Sequence, residues 1–336
     1  MKKFLLKGFL YSFPLLISIL IVYIIDPYYL FHKNRDFNEQ KFKIGYSFDQ
    51  GRRYKIFTYK NNPKSKIILG ASEINVVSEL NIPEEGWHSL SYGGAPIQES
   101  LKMFWVIANE YELTDVIIAP EFIKYFNAIS SGKGDPYYAN FNWNTSQSKQ
   151  ALDIYDSKFD YFTDKYVLKS SWNYVKSFCM EAKLSGNPNM DKELFWKSQL
   201  DYASKVYDGN TLFHEKKIEV ISLFREIQEY CKINGIQLRV VIPIQHVDLL
   251  KLEFCDSIYP IYYDYINYLV DIFGSIYYFA YDKEESIDNS KFSDPFHYLY
   301  ADLYLRELFY KPDTCYIVNK NNINILNDFR TEILNQ

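Results

Sequence analysis

A serine hydroxyl is a weak nucleophile at neutral pH unless an imidazole takes its proton and a third group orients that imidazole. Two short segments of this chain carry all three groups: Gly70-Ala71-Ser72-Glu73, directly after the apolar run Ile67-Ile68-Leu69, and Asp294-Pro295-Phe296-His297, far along the sequence. Together they predict a nucleophile (Ser72), its base (His297) and an orienting carboxylate (Asp294). Each is ordinary alone, since Gly-Ala-Ser after a strand is mostly a strand-to-helix turn and Asp-Pro is a common helix cap. Their value lies in the pairing.

The elements that must position these groups can be read from spacing. Residues 66–70 form a short buried strand, and a serine just past its carboxyl end lies where open α/β sheets bind ligands. Asp294 reads as a helix N-cap with Pro295 at the first helical position, which places His297 in the first turn of a helix with the apolar face Tyr298, Leu299, Ala301, Leu303, Leu305 and Leu308. There the helix dipole favours a neutral ring and a nearby carboxylate favours the charged one. Further strands are expected at 88–91, 115–119, 237–243 and 275–280, with helices at 96–111, 215–234 and 260–273. This alternation predicts an α/β fold, a central parallel sheet of about five strands with helices on both faces.

With 336 residues the chain can hold one large domain with a substantial insertion. A net charge of −5 with both signs interspersed forms no basic stripe, which argues against nucleic acid as a partner. The 32 tyrosines are compatible with a biased genome as well as with function.

Several further segments extend the pattern. Ser91-Tyr92-Gly93-Gly94-Ala95 follows the second strand, and Pro120-Glu121-Phe122 follows the third. On these motifs the chain resembles the SGNH (GDSL-like) hydrolases over about residues 60–312, and more closely their membrane-anchored branch, such as the D-alanyl transfer protein of teichoic acid synthesis and the alginate O-acetylation proteins. The resemblance implies a flavodoxin-like three-layer sandwich, with Ser72 as nucleophile, backbone N–H groups of Ser72 and Gly93 or Gly94 as the oxyanion hole, and Asp294 and His297 as the Asp-x-x-His block. Two departures stand out: Ala71 replaces the name-giving aspartate, and the Gly-x-Asn-Asp block is absent after the third strand, leaving Asn127 as the nearest oxyanion candidate.

The N-terminus makes a separate physical statement. Residues 8–25 are uncharged and apolar, long enough at about 1.5 Å per residue to cross most of a hydrocarbon core of roughly 30 Å. Lys2, Lys3 and Lys7 before this segment place residues 1–7 in the cytoplasm and everything after Asp26 outside a bacterial cell membrane. The segment lacks a small-x-small cleavage pattern, so an uncleaved anchor is preferred over a signal peptide. A connecting segment (26–63), the α/β domain (64–312) and a C-terminal extension (313–336) complete the expected organisation.

A block at about 128–211 has no strand signal and reads as a helical insertion. Trp143 and Trp172, with Asn140, Asn142, Asn144, Tyr174, Trp196 and Tyr202, suit a wall that stacks on and hydrogen-bonds sugar rings, although each tryptophan alone is more often core. Cys179, Cys231, Cys255 and Cys315 have neither zinc nor redox spacing, and Cys231 fits a buried helix face. No histidine has a partner at metal-ligand spacing, so neither a metal nor another cofactor is called for. His246, after the fourth strand, has a smaller claim to touch substrate. Glu73 reads chiefly as a residue solvating a turn.

The function expected from these readings is a serine-dependent O-acyl transferase or esterase, with acetyl the leading acyl group, acting on exported cell-surface polysaccharide or a lipid-linked glycan through an acyl-serine. The resemblance implies work beside a multispanning membrane acyltransferase. The alternative is a non-catalytic SGNH-like scaffold that binds glycan or an assembly partner.

Overall fold

Ile67, Ile68 and Leu69 are fully buried, as a strand covered on both faces requires. The computed structural model describes residues 2–27, 31, 55–56, 59–60, 62–75, 82, 84–127, 158–163, 165–179, 191–208 and 213–336. In chain order the first elements are α1 (Lys2–Ile25), β1 (Lys66–Gly70), α2 (Ser72–Asn75), β2 (Trp87–Ser89), α3 (Ile97–Ala108), β3 (Asp115–Ala119) and α4 (Phe122–Asn127). Next come α5 (Lys158–Thr163), α6 (Lys165–Cys179), α7 (Lys192–Asp208), α8 (Phe213–Ile233), β4 (Gln237–Ile242), α9 (Val247–Glu253), α10 (Tyr259–Phe273) and β5 (Ser275–Tyr278). The chain ends with β6 (Phe292–Asp294), β7 (His297–Tyr298), α11 (Ala301–Tyr310), β8 (Ile317–Asn319) and α12 (Ile325–Leu334).

These elements divide into two compact units, Met1–Pro63 with Gln150–Asn189, and Lys64–Lys149 with Met190–Gln336. In the first, α1 lies against α5 and α6. It ends at Asp26, which has φ of 45° and accepts hydrogen bonds from the Phe31 N–H and the Tyr161 hydroxyl, both at 2.9 Å. Leu15, Leu16, Leu20 and Ile24 of α1 are exposed within this unit. Among the described residues no helix is long and apolar enough to cross a membrane, so the anchor expected at 8–25 is not carried by the structure and rests on the sequence.

The second unit is α/β. Its sheet has the order β2-β1-β3-β4-β5-β8, parallel throughout except for β8, which runs antiparallel to β5. The sheet therefore has six strands rather than about five, and the segment expected as a C-terminal extension supplies the sixth. One face carries Ile68, Ile117, Ala119 and Val241, packed in one core with Ala301, Tyr304, Leu305 and Leu308 of α11. On the opposite face α8 lies between α3 and α10, and the three helices contact β1, β4 and β5. Cys231 is buried on α8, as its helix face predicts, and burial pushes its thiol up to about 12. Cys231, Cys255 and Cys315 are free thiols.

The strand order decides where a ligand belongs. The chain leaves β1 toward β2 on one side, while β3 lies on the other, so the sheet reverses its winding between β1 and β3. In open parallel sheets the crevice at such a reversal, outside the carboxyl ends of the strands, is the ligand site. Ser72 follows β1 and Glu121 follows β3.

Candidate active site

Gly70 is needed where β1 ends. A Cβ there would sit 2.5 Å from Ile74 Cγ2 and 3.1 Å from the Ala119 carbonyl oxygen, closer than a side chain tolerates. With no side chain at 70, the chain turns against β3 and enters the single turn α2, whose first residue is Ser72. The Ser100 hydroxyl of α3 holds the Gly70 carbonyl at 3.2 Å. Ser72 is half-buried, and its hydroxyl makes no hydrogen bond among the described residues.

The Asp294–His297 segment is not the helix start that its sequence predicts. Asp294 ends β6 and His297 begins β7, a small antiparallel hairpin with Pro295-Phe296 at the turn, and α11 begins only at Ala301. The physical reason is that an aspartate side chain can cap a turn as readily as a helix. Asp294 Oδ1 accepts the Phe296 N–H at 3.0 Å, the Leu299 N–H closes back on the Lys291 carbonyl at 2.8 Å, and Phe292 packs edge-on to Tyr298. The buried face of α11 shifts accordingly to Ala301, Tyr304, Leu305 and Leu308, leaving Leu299 and Leu303 exposed.

The hairpin still delivers the predicted pair. His297 Nδ1 lies 2.7 Å from Asp294 Oδ1 and 2.6 Å from Oδ2, with the carboxylate nearly buried and the ring about one quarter exposed. A ring that donates from Nδ1 to a carboxylate presents Nε2 as a proton acceptor, and Nε2 has no partner among the described residues. The helix α2 lies against β7, and Ile74 shares a core with Phe292 and Tyr298. Ser72 and the Asp294–His297 pair thus occupy one corner. No hydrogen bond joins Ser72 Oγ to His297 among the described residues; such contacts often tighten only when substrate is bound.

The other predicted site residues sort clearly. Gly93 and Gly94 form an exposed turn after β2, the neighbour of β1, and Gly94 has φ of +73°. The N–H groups of Ser72, Gly93 and Gly94 donate no hydrogen bond among the described residues. Asn127 is the last residue of α4 and its side chain lies outside the described residues, as does the whole of Trp143. Trp172 is exposed on α6, in the first unit.

Three carboxyl groups not singled out for the site lie behind it. Glu73 does not solvate a turn: it is 2 % exposed, beside the 3 % exposed Glu121 and the fully buried Glu253. Glu121 Oε1 accepts the Glu73 N–H at 2.8 Å, tying the end of β3 to the residue after Ser72. Tyr207 of α7 donates to Glu253 at 2.7 Å, and Gln245 reaches Glu73 at 3.5 Å. Burial raises all three carboxyl groups above the usual range, Glu73 further because Glu121 is near, and Glu253 to about 8. The shift favours the neutral form of each, and a neutral carboxyl spares the site the cost of buried charge.

His246 is buried rather than open at the end of its strand. It is 2 % exposed, its Nδ1 accepts the Asp248 N–H at 3.1 Å to cap α9, and its ring meets Phe292 and Trp196 edge-on. Its own N–H donates to the Pro295 carbonyl at 3.2 Å. His246 thereby clamps the turn that carries Asp294 and His297, and α7 backs it, with the Trp196 indole donating to Asp248 at 2.9 Å. Among the described residues no group of His, Cys, Asp and Glu is arranged to hold a metal ion. No family model, curated protein or solved structure matches the chain.

Proposed function

We propose that this chain is a serine-dependent acyl-transfer enzyme of the SGNH type: a membrane-anchored O-acyl transferase or esterase, acetyl foremost, acting on exported cell-surface polysaccharide. The observation that carries the reading is the Asp294–His297 pair, with Nδ1 engaged by the carboxylate and Nε2 open, beside Ser72 at the reversal point of a parallel sheet. His297 Nε2 takes the Ser72 proton as Oγ attacks the ester or thioester carbonyl, and the Asp294 carboxylate stabilises the imidazolium. The Ser72, Gly93 and Gly94 amides receive the oxyanion. The imidazolium then protonates the departing group, leaving an acyl-serine. A sugar hydroxyl or water, deprotonated by His297, attacks that ester and restores the free serine. Transfer and hydrolysis share every step up to the acceptor, which is chosen by binding and by exclusion of water.

The uncharged segment at 8–25 after three lysines supports an anchor, with the catalytic unit outside the membrane and a multispanning acyltransferase as its partner. Turnover of a small acetyl ester by the purified chain, and acetate release from or transfer to an acetylated glycan, test the activity.

Glu121 enters this reading as a positioning residue, because it fixes the backbone beside Ser72 without touching the reacting atoms. Glu121→Ala lowers kcat for the acetyl ester by about ten- to a hundredfold with KM nearly unchanged. Glu121→Gln keeps an acceptor oxygen and recovers most of that loss. Wild-type kcat in the alanine variant, or an equal loss in both, removes Glu121 from this role.

A further inference from the structure

His297 and Tyr298 are consecutive in β7 and so point to opposite faces of the hairpin. Tyr298 lines a cavity of about 440 Å³ at the carboxyl end of β5 between α11 and α12. That volume is within the range of pockets that take small organic ligands. Its walls are aromatic, including Tyr278, Phe279, Tyr281, Tyr304 and Phe329 as well as Tyr298. Around Phe329 the rings of Tyr281 and Tyr316 stand at 62° and 63°, with centroids at 5.6 and 5.4 Å.

Most of the lining tyrosine hydroxyls are engaged within the protein. The Tyr278 hydroxyl pairs with that of Tyr262 at 2.9 Å, the Tyr298 hydroxyl donates to Glu285 at 2.6 Å, and the Tyr281 hydroxyl is shared between Glu332 and Gln336. The Tyr304 hydroxyl is buried and has no hydrogen-bond partner among the described residues. The charged groups lining the space are four carboxylates, Asp282, Glu285, Glu307 and Glu332, against the single cation Lys283. Asp282 Oδ1 is engaged by the Glu284 and Glu285 N–H groups, and Glu285 by Lys291 and Tyr298. The Glu307 carboxylate has no hydrogen bond or ion pair among the described residues, and Glu332 uses one oxygen.

Aromatic faces attract a cation, and a rim of under-used carboxylates adds to that attraction. A sugar would call for amide or hydroxyl groups free to pair with its hydroxyls, whereas no asparagine or glutamine lines this space. A primary amine would need several converging acceptors, while the hydroxyls of Tyr278, Tyr281 and Tyr298 are engaged elsewhere. We infer that this cavity is a binding site for a methylated ammonium group of the choline type, held over the rings of Tyr281, Tyr298 and Phe329 with Glu307 and Glu332 as its counter-charges. The site is separate from Ser72, and the inference does not depend on the acyl-transfer reading.

Titration of the full chain with choline, and with its uncharged tert-butyl isostere, by ligand-observed NMR tests this. Choline binds, the isostere binds at least about tenfold more weakly, and Ser72→Ala leaves choline binding unchanged. The double variant Glu307→Gln, Glu332→Gln, changed only at exposed positions, weakens choline about tenfold while keeping the wild-type melting temperature. Absence of choline binding to the folded wild type overturns the proposal. So do equal binding of the uncharged isostere, and wild-type choline affinity in the double variant.

Discussion

Ser72→Ala and His297→Ala each lower kcat for hydrolysis of a small acetyl ester by about 10⁴-fold or more, and the double variant is no slower than either single one. The reason lies in the division of labour at the corner between α2 and β7. The Ser72 hydroxyl is useful only if a base removes its proton, and His297 Nε2 is useful only if a hydroxyl is there to be deprotonated, so losing either group forfeits the same step. Oxyanion donors at Ser72, Gly93 and Gly94 remain, which leaves a residual rate above water. Asp294→Asn belongs to the same series. The carboxylate accepts from Nδ1 at 2.6–2.7 Å, whereas an amide can donate to Nδ1 and turn the proton to Nε2, the wrong tautomer for a base; the loss is on the order of 10⁴ in kcat. Kinetics of the three singles and the Ser72–His297 double decide the matter, and losses that multiply in the double variant would show that the two residues do not act as a unit.

The second large effect is on stability. Between about pH 4.5 and about pH 8 the folded chain keeps a proton on Glu253 that the unfolded chain releases, because burial raises this carboxyl from 4.5 to about 8. The unfolded state then binds fewer protons than the folded one, so unfolding free energy falls as pH rises through this window. The contribution is fully present below the unfolded value and is lost as pH passes the folded one. At about 1.4 kcal/mol per unit of difference, the loss from this residue is on the order of a few kcal/mol. Glu73 and Glu121, raised by burial as well, act in the same direction. Urea unfolding at the two ends of the window, compared between wild type and Glu253→Gln, isolates the effect: the variant loses distinctly less stability with rising pH. Equal pH slopes in the two proteins would mean that Glu253 is not held protonated by the fold.

The placement of Ser72 and of the glycine pair was legible because each follows a strand signal. Ile67-Ile68-Leu69 marks a buried strand, and Ser72 follows it; Gly93 and Gly94 follow the neighbouring strand. The Asp-x-x-His spacing brings Asp294 and His297 into contact, but the local signals do not choose between a helix cap and an Asx turn. The choice is made by Phe292 packing on Tyr298 and by the His246 N–H on the Pro295 carbonyl, both long-range or cross-hairpin contacts. Glu73 looked solvent-facing because an acid next to a turn usually is. Its burial depends on Glu121, 48 residues away, and on Glu253 and Gln245 farther still, which no local pattern reveals. The strand β8 has only three residues, too short for a periodic signal, and α9 is capped by a histidine nitrogen rather than by the usual hydroxyl or carboxylate. Glu121 stands at the end of β3 and holds the turn after β1 through the Glu73 N–H, a contact that no local motif announces.

The most direct measurement of the central claim is the mass of the chain after brief exposure to an activated acetyl ester, followed by peptide mapping. The account predicts one acetyl group, on Ser72, formed rapidly in the wild type, slowly in His297→Ala and not at all in Ser72→Ala. Unlabelled wild type together with ester turnover that survives Ser72→Ala would contradict it.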